Sequence, residues 1–205
     1  MCHLRWLDPL SGLLGRRLTS GTMSEQLRTF TRGIYAFDAV VQRVPADSWS
    51  AQTPCPEWNA TELVEHQCAV LNGVATMAET GEMAAPTPSA DADPVAMWNE
   101  CRDRVLTALD TKGALAQEGP FWFRAATIDD VCGAVLWDPV THAWDLATAA
   151  GIEHGLGDDL LEATLATVEP RMEMLAKSER TAPAVDVAAD ASMLQRYLAA
   201  VGRTV

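Results

Sequence analysis

The run LWDPVTHAWDLATAAG, Leu136 to Gly151, carries one histidine and two aspartates inside otherwise apolar, helix-forming sequence. At about 100° per residue, Asp138, His142, Asp145 and Ala149 fall within about 60° of one another, so one helix surface bears all three polar groups. A second histidine, His66, lies in the run ATELVEHQCAVLNGVATMAE and shares a face with Leu63, Val70, Gly73 and Val74, which turns it inward. Imidazole nitrogen and carboxylate oxygen are the ligands that Zn2+ and similar divalent ions take, and helical bundles hold such ligands on facing helices. The candidate metal ligands are therefore His66, Asp138 and His142. Asp145 is expected beside them as an outer partner that orients an imidazole, or as an occasional fourth ligand. Three protein ligands leave one coordination position open, the arrangement of a catalytic site, where bound water or thiol becomes a nucleophile near neutral pH. With two neutral imidazoles and one carboxylate, a zinc site stays net positive and favours an incoming thiolate or hydroxide.

Spacing alone admits a second interpretation. A lone histidine on an apolar helix face is more often a hydrogen-bonded core residue, and an aspartate four residues away then orients it. Pro139 stands between Asp138 and His142. Inside a helix a proline removes one backbone bond and bends the chain, so a kink is expected between these two ligands. The other candidates carry less. His3 lies near the N-terminus and His154 in the loop IEHGLGDD, both expected to face solvent, with His154 within reach of a pocket mouth. Cys55, in TPCPEW, has no histidine near it in sequence and reads as a buried small residue; Cys68 and Cys132 fit packed helix positions. Trp58, Trp137 and Trp144 read as core or pocket wall. No glycine-rich phosphate loop or serine elbow is present, and no catalytic side chain is assigned.

Holding these residues in place requires several helices. Leu27, Phe30, Ile34, Phe37, Val41 and Val44 recur every three or four residues and predict a first helix stopped by Pro45. The stretch SWSAQTPCPEW, with two prolines and no period, predicts an extended, rigid connection that packs Trp49 and Trp58 onto the bundle end. Asn59 with Glu62 forms a capping-box pattern that opens a second helix running to about Thr80. The loop GEMAAPTPSADADP has the composition of a mobile connection. Asp93 before Pro94 starts a third helix, with Trp98, Arg102, Val105 and Leu109 on its packed face. GPFWF, within a break from Gly113 to Ala126, reads as a short extended piece or a lid. Thr127 with Asp130 resembles another capping box and predicts one fourth helix from about Ile128 to Ala150, stopped by Gly151. Leu161, Leu165, Val168, Met172 and Leu175 share a face interrupted by Pro170, and DASMLQRYLAAVG predicts a short capped helix ending at Gly202. The fold class this predicts is all-α: an up-and-down four-helix bundle with a C-terminal helical appendage, spanning residues 23–205. Residues 1–22 read as a poorly ordered extension, with Met23 as a plausible second start.

Composition narrows the function. The 205 residues are 48% hydrophobic and 21% charged, ordinary for a soluble globular protein. Fifteen basic against twenty-eight acidic residues give a net charge of −13, which repels nucleic-acid phosphates and anionic membranes. No apolar run approaches the roughly 18 residues needed to span a bilayer. Five cysteines without paired short spacing argue against a disulfide framework or a thiolate zinc knot and for a reducing cytoplasm.

The segments AFDAVVQRVPADSW, TPCPEWNATELVEH, VTHAWDLATAAG and ASMLQRYLAAVGR, in this order, resemble the actinobacterial family related to the N-terminal domain of mycothiol-dependent maleylpyruvate isomerase. That family lies within the wider DinB-like metal-binding four-helix bundles, and the resemblance covers Ser24 to Arg203. It implies a metal held by a histidine on the second helix and by a carboxylate and a histidine four residues apart on the fourth, positions that His66, Asp138 and His142 match. Aspartate stands at 138 where the isomerase has glutamate, a side chain one methylene longer. The resemblance further implies a divalent metal, Zn2+ first with Ni2+ or another ion as alternatives, and a low-molecular-weight thiol of the mycothiol type. Ionised on the metal, that thiol would attack a small electrophile, giving isomerisation or S-transfer. Maleylpyruvate as the substrate does not follow, because one fold and one metal site serve many reactions. Metal-dependent hydrolysis by bound water and a non-catalytic helical binding or stress-response module are the alternatives. The expected partners are a small thiol and a small electrophile, without nucleic acid or membrane, and a homodimer is left open.

Overall fold

The computed structural model describes residues 23–84, 93–121, 124–177 and 182–204. The expected extension over residues 1–22 lies outside them, as does most of the loop before Asp93. Three helices form where the sequence places caps and apolar faces. α1, Glu25–Val41, starts on Ser24, whose Oγ accepts the Leu27 amide at 3.0 Å, and it buries Leu27, Phe30, Ile34, Phe37 and Val41. It ends four residues before Pro45. α2, Ala60–Thr80, opens with a complete capping box: Asn59 accepts the Glu62 amide at 3.1 Å and Glu62 accepts the Asn59 amide at 2.8 Å. α3, Pro94–Leu109, begins on the Asp93 cap. Its Trp98 is fully buried edge-on against Phe37, ring centroids 4.7 Å apart. Arg102, expected on the packed face, instead carries its guanidinium to the edge of the core, where Nη1 donates to Asp38 at 2.6 Å.

The segment after α3 forms an antiparallel hairpin. β1, Glu118–Phe121, pairs with β2, Arg124–Thr127, so the GPF of GPFWF takes the extended form, one of the two alternatives for it; Trp122 and Phe123 lie outside the described residues. The single fourth helix is two. α4, Ile128–Val135, opens on the Thr127–Asp130 capping box, and α5, Trp137–Ala150, follows after Leu136 alone. Pro139 is the cause. It has no N–H for the Val135 carbonyl and its ring crowds that carbonyl, whereas in the first turn of a new helix neither costs anything. The break therefore falls before both Asp138 and His142 rather than between them, and one uninterrupted helix carries the two.

α1 packs on α5 and α2 on α3, and contacts of α2 with α5 and α1 with α3 close the bundle. The α1–α5 approach is close because Gly33 has no side chain: a Cβ there would meet Val140 Cγ2 at 3.0 Å and Pro139 Cγ at 3.1 Å. Beyond the bundle, the expected helix through Pro170 is divided into α6, Asp158–Val168, a 3-10 turn at Glu169–Arg171, and α7, Met172–Lys177. α8, Met193–Ala200, opens on a Ser192–Gln195 capping box and packs on α6. No helix among the described residues is long and apolar enough to cross a membrane.

Candidate metal centre

The bundle brings His66 of α2 together with Asp138 and His142 of α5. One ligand atom from each lies within 4.8 Å of the other two. His66 Nε2 is 3.3 Å from Asp138 Oδ2, and His142 Nε2 is 3.5 Å from Asp138 Oδ1. Donor atoms about 2.1 Å from a tetrahedral ion stand about 3.4 Å apart, close to the spacing of each imidazole from its nearer Asp138 oxygen, while the three ligand atoms taken together span up to 4.8 Å. His66 Nε2 is buried and, despite its short distance to Asp138, lacks the alignment of a hydrogen bond; among the described residues it has no hydrogen-bond partner. A buried polar atom left unpaired costs on the order of 1–3 kcal/mol. Two imidazole nitrogens and a carboxylate, one nitrogen otherwise unsatisfied, fit a divalent cation.

Surrounding groups fix each member. Asp138 sits in the first turn of α5, and its Oδ2 accepts the Gln67 amide N–H at 2.6 Å. Gln67 itself is fully buried, and its Oε1 is a second buried atom without a partner among the described residues. The His142 Nδ1–H donates to Asp145 Oδ2 at 2.9 Å, which leaves Nε2 directed at the cluster. Asp145 is therefore an orienting partner and lies on the far side of His142 from Asp138. Trp58 stacks on His66 at 4.2 Å between centroids and meets His142 edge-on at 5.7 Å. Its loop is stiffened by its own bonds: Thr53 Oγ1 donates to the Trp58 carbonyl at 2.7 Å, and Gln52 Nε2 donates to the same oxygen at 3.0 Å. The double-proline connection thus presents Trp58 as a lid over two imidazoles.

The electrostatics follow from this packing. Burial alone would raise the Asp138 carboxyl, but the imidazoles of His142 and His66 outweigh it and hold the group well below the usual carboxylate range. Burial opposes a charge on His142, yet the carboxylates of Asp138 and Asp145 overcome it and push the imidazole up to about 9. Asp145 is likewise depressed against its burial by His142 and by Arg203. Without a metal, the two carboxylates thus favour the protonated form of His142.

Of the remaining candidates, none joins the cluster. His154 Nδ1 accepts the Leu156 amide at 3.0 Å and shapes its own loop; His3 lies outside the described residues. Burial raises the Cys55 and Cys132 thiols, which makes them inert packing groups. Trp137 is half-buried, with its indole N–H bonded to the Ala134 carbonyl, and Trp144 belongs to the core. Sequence reasoning missed Gln67, Tyr197 and Arg203. Gln67 had the signal of adjacency to His66; the other two had none.

The fold and this cluster define a class: a helical-bundle protein with a His–Asp–His group, half-buried at His66 and buried at Asp138 and His142, between its second helix and the helix that ends at Gly151. Residues 30–147 match the family described as the mycothiol maleylpyruvate isomerase N-terminal domain, and the chain belongs to that family. Two uncharacterised proteins of Mycobacterium tuberculosis, from strains CDC 1551 / Oshkosh and H37Rv, are each 31% identical to it over 153 residues, 69% of this chain and 76% of theirs. A crystal structure of a mutant mycothiol-dependent maleylpyruvate isomerase aligns with a TM-score of 0.49 at 16% identity, covering 77% of this chain and 72% of that one.

Proposed function

We propose that this chain is a divalent-metal-dependent enzyme that activates a low-molecular-weight thiol of the mycothiol type for S-transfer to, or isomerisation of, a small electrophilic substrate. The observation that carries this reading is the buried His66 Nε2, which lies 3.3 Å from Asp138 Oδ2 and near His142 yet has no hydrogen-bond partner among the described residues. These three residues would hold the ion, Zn2+ before Ni2+ for a nitrogen and carboxylate set. Once bound, it would supply the Lewis acidity that keeps a thiol ionised near neutral pH.

The chain's own groups do the rest. Asp145 keeps His142 Nε2 turned to the cluster, Gln67 holds the Asp138 carboxylate, and Trp58 excludes water from one side of both imidazoles. The thiol rests on the family description, which names mycothiol. A reducing cytoplasm accords with the four described cysteines, all free. The experiment is a thermal-shift titration of zinc-loaded wild type and His66→Ala protein with mycothiol. A rise in Tm confined to the wild type is expected. No response to mycothiol, with stabilisation by a phosphate or ester analogue, would replace thiol chemistry with hydrolysis.

A further inference from the structure

The family match ends at residue 147, yet the orienting partner of His142 is itself held by a residue far beyond that point. Arg203 lays its guanidinium along Asp145, Nε donating to Oδ1 at 3.0 Å and Nη2 to Oδ2 at 2.9 Å. Asp145 is fully buried, the Arg203 side chain is only 13% exposed, and Oδ2 is the same oxygen that accepts the His142 Nδ1–H. A planar, two-point contact of this kind fixes the angle of a carboxylate, which a single charge does not.

The end of α8 aims this arginine. The Arg203 amide bonds the Leu198 carbonyl at 2.8 Å and the Gly202 amide bonds the Ala199 carbonyl at 3.1 Å, the paired bonds of a Schellman turn. Gly202 has φ +71°, and a Cβ there would stand 2.6 Å from the Ala182 carbonyl oxygen, so glycine is required for the chain to reverse. One turn earlier, the buried Tyr197 hydroxyl donates to the Trp137 carbonyl at 3.0 Å and pairs with Thr141 Oγ1 at 2.7 Å, tying α8 to the first turn of α5. Both ends of the segment that carries Asp138 and His142 are thereby braced from the C-terminal appendage.

We propose that Arg203 is a positioning residue for the candidate metal centre: through Asp145 it fixes the His142 ring with Nδ1–H outward and Nε2 toward Asp138 and His66. The proposal rests on the metal reading above, and its test separates the two. Zinc affinity is measured by chelator competition for wild type, R203M and R203K, alongside the 1H–15N signal of the His142 Nδ1 proton in metal-free protein. R203M is expected to weaken zinc binding about 10- to 100-fold, the range for partners that orient a ligand. It is also expected to lose the slowly exchanging Nδ1–H signal. R203K, which keeps the charge without the fork, is expected to regain only part of the affinity and to serve as the reporter should R203M not fold. Zinc affinity within about twofold of wild type and an unchanged Nδ1–H signal in either folded variant, with only Tm lowered, would overturn the proposal and leave Arg203 a structural tie. A wild type that takes up no zinc would sink the metal reading, and the Nδ1–H signal would still decide whether Arg203 sets the ring.

Discussion

Helix α2 buries polar groups on two faces, and the two are finished differently. Toward α3, Asn72 donates to Cys101 Sγ at 3.2 Å, and Arg104 closes the group by donating to Asn72, Thr76 and Glu79. Cys68 completes it: hydrogen bonding to Cys101 together with burial raises its thiol. Every side chain in that set has a partner. Toward α5, His66 and Gln67 each leave one buried polar atom without a hydrogen-bond partner among the described residues, beside a carboxylate and a second imidazole. A satisfied network holds two helices in register, whereas an unsatisfied one costs stability unless something else supplies the missing contact. The contrast within one helix is what the proposed metal reading of the α5 face rests on.

The largest separation between the faces is expected on removing a ligand. His66→Ala should weaken zinc binding more than about 100-fold, beyond the range for orienting partners, while lowering metal-free stability by about 1 kcal/mol. Equal zinc affinity in this variant would break the contrast. Next comes pH. His142 must give up its proton to donate Nε2 to a metal, and that proton is held up to about 9. Apparent zinc affinity should therefore rise about tenfold per pH unit from pH 7 and level off near 9, read by chelator competition. The same proton works in the opposite sense on the metal-free fold. Its stabilising contribution is complete below pH 6.5 and lost as pH rises through about 9, so denaturant midpoints should fall on the alkaline side, and less so with metal bound.

Smaller effects sharpen the α3 face. Asn72→Ala strips a partner from both Cys101 and Arg104 and should cost about 1–3 kcal/mol in urea unfolding, with zinc affinity within about twofold of wild type. Cys101→Ala should cost about 1 kcal/mol and leave metal binding untouched. A change in zinc affinity in either variant would show that the two faces are coupled through α2.

What the sequence made legible is local. The caps at Asn59, Asp93 and Thr127 and the apolar faces of α1 to α3 depend on residues three or four apart, and they form where those spacings place them. Asp138 and His142 could be put on one helix face for the same reason. Pro139 was legible as a disturbance but not in its position, because helix breaks appear upstream of a proline, at the carbonyl it deprives. That His66 meets the α5 pair at all depends on how α2 and α5 cross, and periodicity says only that each turns inward. Gln67 reaches Asp138 across 71 residues and Arg203 reaches Asp145 across 58, distances over which no spacing rule operates. The outer partners of a site are set by tertiary packing, so they were invisible until the helices were assembled.

On the function proposed above, the α5 face of α2 holds a metal. Elemental analysis of freshly purified wild type and His66→Ala protein tests it most directly. One divalent ion per chain is expected in the wild type and its loss from the variant. A wild type without stoichiometric metal, whose Tm does not respond to added zinc, would contradict it.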